Sequence, residues 1–516
     1  MAQPQPTATD RAQANPTRPR PLACAGERDV PVSQVFTPAM WAELKSLMTA
    51  QGWGGVEETE ATGQHSNPKP LNSLNSLTLT LTLTLTLALT LTLNQAMWQQ
   101  SFGQRKIISG FMKDRSLGEK RLASMPDRVT NTINLAGGRG VANRPTVINC
   151  FAGDMTSSER WWANWKAFMF ETEVLVEGGG AATLPASLLQ PIKRAKYPAL
   201  SLEEEAISLP LQTLCQAIFD AILVHIVNIV SPSGKWQQLQ QQMCDSLNRK
   251  KDVNTLAILD RSYRDVNVLF VQEAAAVFVT KANAASLGRS YAVVSSSSLD
   301  GKRDQNSLIL LCKQYFNVAS VREHTAYVMS TFDKATPVAN GDLLVISVVD
   351  IFGRRYLLAS FHGDTNGLAT LPVLAAVHAL AQQMPSHRLV FGLDANTYEH
   401  GSGSKQGVVE FWQDFVSKGY SSCWGDAPDP TNNYTTYNAR TFLQPQLQKA
   451  AKSTEKASKG DKNPKDFIIF PKATYSVVAT TKDNTGLRRY TEGMVFPTLK
   501  FPSDHGLVAT VLREQV

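Results

Sequence analysis

From about residue 146 onward, short apolar blocks alternate with amphipathic stretches. Blocks at 146–151, 266–272, 291–296, 307–311, 343–349, 356–361, 388–393, 467–470, 475–480 and 507–512 have the length and polar flanks of buried strands. Between them, apolar residues at 371, 374, 377, 380 and 384 follow one helical face, and 408–418 reads as a second helix. Mixed strand spacing with helices between some strands predicts α/β layers rather than an all-β sandwich. Two stretches read as insertions. Residues 175–255 are mostly helical, and within them 211–230 is strongly apolar. That run contains Asp220, His225 and Asn228, so a buried helix is expected rather than a membrane span. Residues 438–465 form a Lys-rich connection.

The first part of the chain has a different texture. Residues 1–33 are Pro-rich and aperiodic, which predicts disorder, and 36–52 reads as a short amphipathic helix. Residues 77–93 alternate Leu and Thr, broken only by Ala88. Period two with one apolar face describes a strand. Burying that face does not offset the backbone entropy of ordering it unless a partner surface is present. The predicted organisation is therefore 1–144, largely disordered or low-complexity, and 145–516, one folded domain carrying both insertions.

Composition narrows the partners. The 516 residues are 43% hydrophobic, enough for a substantial core. A net charge of +7 gives a modest basic bias that suits a phosphate-bearing partner. Six cysteines are scattered without a C-x-x-C pair, which argues against a disulfide framework or zinc site and for a reducing compartment. No apolar secretory core follows Met1, so an intracellular location is expected, with an Arg-containing, acid-poor N-terminus also compatible with an organelle transit peptide. Walker A, G-x-S-x-G, H-E-x-x-H and G-x-G-x-x-G patterns are absent.

Polar residues cluster where the apolar blocks end. Asn149 closes one block, Gln272-Glu273 another, and His362-Gly-Asp364-Thr-Asn366 a third. Asp394 and Asn396 stand two apart after Val390-Phe-Gly-Leu, Asp466 opens a strand, and Ser503-Asp504-His505 precedes the last one. Carboxylates and imidazoles at strand ends can hold a divalent cation and a phosphate oxygen side by side. Each also has a plainer reading. Asn149 could cap a turn, with Asn134 competing for any ligand role, and Asp364 and Asn366 are typical turn residues.

Taken in this order, Gln272-Glu273, Gly392-x-Asp394-x-Asn396 and Ser503-Asp504-His505 resemble the endonuclease/exonuclease/phosphatase superfamily. Its members share the deoxyribonuclease-I-like fold. The usual Gly-Asp-Phe-Asn is shifted here to Gly-Leu-Asp-Ala-Asn, and the separation of Asn149 from Glu273 is long for the family. The resemblance implies a four-layer α/β/β/α sandwich of two mixed β-sheets flanked by helices. It implies Mg²⁺, with Mn²⁺ as an alternative, held by Glu273, Asn149 and Asp504. It further implies that Asp394 activates water, that Asn396 holds that water or the phosphate, and that His505 contacts a phosphate oxygen, oriented by Asp466. His362 would be a second phosphate contact or the leaving-group acid.

The implied activity is phosphoester hydrolysis. Nucleic acid is the favoured substrate, from the basic bias and from Lys449, Lys452, Lys456, Lys459, Lys462 and Lys465. Alternatives are a phosphoinositide or lipid phosphatase or phosphodiesterase, and a non-catalytic binding module on the same fold. The Lys-rich run also reads as a plain solvated loop.

The Leu-Thr run is read as a translated hexanucleotide repeat, because CTA-ACC encodes Leu-Thr. Sequencing the coding DNA over residues 77–93 should show that hexamer in near-perfect tandem; scrambled Leu and Thr codons would refute the reading.

Overall fold

A computed structural model describes residues 29–53, 102–301, 305–438 and 461–515. The Leu-Thr run, the first 28 residues and all but the ends of the Lys-rich connection lie outside the described residues. The chain divides at Gln240/Gln241 into two compact units.

The first unit is mainly helical. Helices α1 (Pro38–Ala50), α2 (Ser158–Lys166) and α3 (Ser208–Val230) share one core, in which Trp41, Trp161 and Trp165 are fully buried. A small antiparallel pair, β1 (Thr132–Asn134) and β2 (Val141–Asn143), belongs to the same unit. The division expected near residue 144 is thus corrected: residues 29–53 and 102–144 contribute helices, strands and core side chains. The helix read over 36–52 is α1, whereas in 102–144 the large apolar residues stand far apart among polar ones, so no local period announces them. Among the described residues, α3 alone is long and apolar enough to cross a membrane, and most of it is buried in this core. Its Asp220 is fully buried, paired with Arg144 at 2.8 Å and accepting a 3.0 Å bond from Trp165. That satisfies the charge that interrupts the apolar run.

The predicted strand at 146–151 is a turn. Asn149 Nδ2 donates to carbonyls of Asn131 and Arg144 at 2.7 and 2.9 Å, and its Oδ1 accepts from Phe151 N at 2.9 Å. An amide engaged in this way fixes a turn and competes with a sheet ladder.

The second unit realises the remaining strand expectations. Helix α4 (Lys251–Ser262) leads into β3 (Val268–Ala274), α5 (Ala276–Ala284), β4 (Tyr291–Ser295) and β5 (Asn306–Cys312). Then come β6 (Phe316–Glu323), β7 (Leu343–Asp350), β8 (Arg355–His362), α6 (Thr370–Gln383), β9 (His387–Asp394) and α7 (Val408–Ser417). The rest are β10 (Tyr420–Ser422), β11 (Thr436–Asn438), β12 (Asp461–Asn463), β13 (Asp466–Pro471), β14 (Tyr475–Asp483) and β15 (Leu507–Glu514).

Strand order is β10-β13-β9-β8-β7-β6 in one sheet and β3-β5-β4 in another, with β11–β12 and β14–β15 as separate pairs. Among the described strands only β8 and β9 pair in parallel, bridged by α6, so the large sheet is mixed. The three-stranded sheet is wholly antiparallel, which corrects the expectation of two mixed sheets.

Period-two alternation builds the layers. Leu343 and Val345 of β7, with Leu357, Ala359 and Phe361 of β8, pack under α6 and α7. Their alternates Leu344, Ile346, Val348 and Leu358 face Ile309 and Leu311 of β5. On the far side of β5, Leu308 and Leu310 pack against α4 and α5. This order of helix, sheet, sheet and helix is consistent with the expected sandwich. Edge strand β6, mostly exposed and bulged, lacks the apolar alternation that would reveal it.

The two sheets touch at Gly392 of β9. A Cβ there would lie 2.3 Å from the Phe270 ring of β3. Gly392→Ala should therefore destabilise the protein by about 1–3 kcal/mol, as overpacking does. In urea unfolding the midpoint should fall at unchanged slope, with partial recovery on adding Phe270→Leu.

Candidate active site

Strand register gathers the site. His362 at the end of β8 pairs with Asp394 at the end of β9, and Asp394 pairs with Asp466 at the start of β13. Neighbouring strands lie about 4.8 Å apart, so these three residues form one row across the large sheet. Phe361, Leu393 and Phe467, one position along, pack on the helix-covered face. The row therefore points toward the three-stranded sheet.

Two residues close the row. Glu273 comes from the end of β3, where the pairing with β5 shifts between Val271 and Ala274. Its φ of 53° is left-handed, as a bulge requires. Gln272 ties this strand end to the large sheet, donating to Ser360 Oγ at 3.1 Å. His505, on the turn before β15, is held by β11: Thr436 bridges to it, and Gly506 N donates to Thr435 O at 2.6 Å. Thr435 Oγ1 in turn accepts from Asp466 N at 3.1 Å.

The result is an alternating chain of acids and imidazoles. His362 Nε2 lies 3.3 Å from Glu273 and 3.6 Å from Asp394. His505 Nε2 lies 3.8 Å from Asp394, and its Nδ1 lies 2.9 Å from Asp466. Ligand atoms of Asp394, Asp466 and His505 all fall within 4.8 Å of one another, so this group could hold a metal ion.

The electrostatics follow from this alternation. The hydrogen bond from His362 takes Glu273 down to about 2, outweighing burial, with help from the charges of His505 and Lys251. Burial raises Asp394, against the pull of both imidazoles and Lys465. Burial opposes a charge on His505, but Asp466 and Asp394 overcome it and raise the imidazole to about 10. His362 is likewise raised: burial acts against its cation, and Glu273 and Asp394 prevail.

Not every expected residue joins the cluster. Asn149, expected as a metal ligand, lies in the first unit with its amide engaged in the turn described above; Asn134, the alternative, ends β1 in that same unit. Asp504 stands beside His505, half-buried, and its charge helps to keep that imidazole protonated. Asn396 is close by, but its Nδ2 donates to Gly363 O at 2.7 Å and its Oδ1 accepts from Lys465 Nζ. It holds the loop after β9, with a left-handed φ of 48°. Asp364 is a turn residue, accepting from Asn366 N at 3.1 Å and Ala369 N at 2.8 Å. His378 is bonded to Tyr420 at 2.8 Å, a structural contact. Sequence reasoning passed over Gln272 as a tie, and Lys251 and Lys465 as nearby cations. Lys465 directly precedes Asp466 and was read as part of the Lys-rich connection, so its place in the chain was the available signal.

Among solved structures the chain is similar to D. rerio TDP2 complexed with a single-strand DNA product. That match has 14% identity and a TM-score of 0.35, covering 52% of this chain and 95% of that one. It is also similar to the human Nocturnin catalytic domain with bound sulfate, at 15% identity, 53% and 90% coverage, and a TM-score of 0.35. An endonuclease/exonuclease/phosphatase from Bacteroides vulgatus matches at 12% identity, 52% and 94% coverage, and a TM-score of 0.36. A family profile described as a domain of unknown function, DUF8234, matches residues 73–241. No curated protein matches the sequence.

The His505–Asp466 contact can be titrated directly. A histidine whose folded pKa is raised contributes stability that is complete below its ordinary value of about 6.5 and lost as pH rises through about 10. In the metal-free protein, NMR of labelled histidines should show His505 protonated through neutral pH. Asp466→Asn should move its midpoint down by at least about one unit; an unmoved midpoint would show that Asp466 does not hold the proton.

Proposed function

We propose that the protein is a divalent-metal-dependent phosphoester hydrolase, with a nucleic-acid phosphodiester as its leading substrate. The observation that carries this reading is the Glu273–His362–Asp394–His505–Asp466 chain, assembled by strand register at one end of the sandwich. The basic net charge supports a polyanionic substrate.

The donor set fits a hard cation. Glu273 keeps 43% of its side chain exposed, and Asp504 is half-exposed, so both carboxylates can bind oxygen-loving ions that retain water. Mg²⁺, or Mn²⁺ in its place, would be held by Glu273 and Asp504, and when bound it neutralises phosphate charge and acidifies water.

The chain's own residues supply the rest. His505, cationic at neutral pH, donates Nε2–H to a non-bridging phosphate oxygen, while Asp466 fixes the ring through Nδ1. Asp394, buried and raised, accepts a proton from the attacking water, since a carboxylate of ordinary basicity is a weak base at neutral pH. His362, held between Glu273 and Asp394, stands where it can protonate the leaving oxygen or contact the phosphate. Asn396 holds the loop that presents Asp394. Water attacks phosphorus without a covalent enzyme intermediate.

Wild type, Asp394→Ala and His505→Ala should be assayed against single- and double-stranded DNA, RNA, phosphoinositide and sphingomyelin. The assays should be run with Mg²⁺ and again with EDTA. Each substitution should lower kcat by about 10²–10⁴-fold, and EDTA should abolish turnover. Equal rates in wild type and Asp394→Ala would refute the assignment. Oligonucleotide binding without turnover would favour a binding module, and hydrolysis of lipids alone would move the substrate class.

A further inference from the structure

The acid–imidazole chain has a lysine beside it that none of the roles above uses. Lys465 Nζ donates to Asn396 Oδ1, and its charge reaches Asp394. Its peptide is pinned on both sides: Lys465 N donates to Thr435 Oγ1 at 3.0 Å, and Lys465 O accepts from Ala395 N at 2.7 Å. Thr435 Oγ1 also receives Asp466 N, so one threonine hydroxyl fixes the backbone of both residues. The side chain therefore starts from the same rigid point as Asp466. It then runs past the Tyr398 ring, with Nζ 5.3 Å from the centroid, and that ring carries a second ammonium, Lys405, at 4.0 Å.

An ammonium has three N–H donors. One goes to Asn396; among the described residues Lys465 forms no ion pair with a carboxylate. A half-buried cation without a carboxylate partner, in a site that holds several carboxylates, calls for an anion that arrives later. The acids around it are committed elsewhere: Asp466 to His505, and Asp394 between the two imidazoles.

We propose that Lys465 is a phosphate-contacting residue of this site: its remaining N–H groups bind a non-bridging oxygen of the phosphoester, on the Asn396 side, opposite the oxygen bound by His505. Tyr398 and the exposed Lys405 extend the same positive stripe outward, where the next phosphate of a polynucleotide would lie. This rests on the phosphoester-hydrolase reading. Asn396 is then an orienting partner, its carbonyl aiming the ammonium.

The test uses full-length Lys465→Met, Lys465→Arg, Asn396→Ala and the Lys465→Met/Asn396→Ala double variant. Orthophosphate binding, read by calorimetry, is independent of turnover. Wild type should bind, Lys465→Met should lose about tenfold or more, and Lys465→Arg should keep most of the affinity. With a substrate that wild type hydrolyses, Lys465→Met should lower kcat/KM by about 10²-fold. In the double variant the loss should exceed that of Asn396→Ala alone. Equal orthophosphate affinity in wild type and Lys465→Met overturns the proposal whatever the enzyme hydrolyses. A double variant no worse than Asn396→Ala also overturns it, by showing that Lys465 acts only through Asn396. Intact phosphate binding by wild type without turnover of any substrate would sink the hydrolase reading and leave the Lys465 contact standing.

Discussion

Register in the large sheet is the constraint on which everything else depends. Pairing His362 with Asp394 and Asp394 with Asp466 puts three chemically active groups in one row. Side chains alternate faces along a strand, so a slip of one residue would exchange that row for Phe361, Leu393 and Phe467. Such a slip would bury charges under α6 and α7 and expose rings between the sheets. The hydrophobic pattern thus selects the register, and the register selects the chemistry. Gly392 strengthens the choice, because only its lack of a side chain lets the Phe270 ring sit against β9.

Once gathered, the acids need the imidazoles between them. Unit charges about 4 Å apart interact by roughly 4 kcal/mol at an effective dielectric near 20. Three carboxylates alone at such distances would oppose the fold; interleaved with His362 and His505, each faces an opposite charge instead. The alternation also separates roles within one small volume. Glu273 is driven fully anionic and remains half-exposed, while Asp394 is pushed up by burial. One carboxyl is held anionic and the other is made harder to ionise.

Much of the second unit was legible because burial and periodicity coincide there. β7, β8 and β9 are covered on both faces, so they read as apolar runs, and their ends read as polar clusters. Glu273, His362, Asp394, Asp466 and His505 could be picked out for that reason. Where burial is one-sided the signal fades, as in β6. Asn149 misled because a turn rich in Thr, Val and Ile imitates a strand when its hydrogen bonds cannot be seen. The first unit was least legible: its tryptophans converge from α1 and α2, distant in sequence, and no local period links them. Lys465 was hidden for a different reason. A lysine in a Lys-rich run has no sequence signature that separates it from solvated neighbours, and only its backbone pinning and its bond to Asn396 set it apart.

Backbone strain marks the same place independently. Among the described residues, two of the four non-glycine residues with positive φ are Glu273 and Asn396. Glycine would adopt these conformations without steric cost, whereas a residue with a Cβ costs on the order of 1–3 kcal/mol there. Asparagine tolerates the left-handed region better than most residues, and its amide is used here on both sides. Glutamate has no such excuse, yet the bulge at the end of β3 needs the turn and His362 needs the carboxylate. Local conformational preference loses to side-chain chemistry at both positions. That conflict is resolved in the same direction at two strand ends on opposite sheets, which is the arrangement expected where a site, rather than a stable loop, determines the residue.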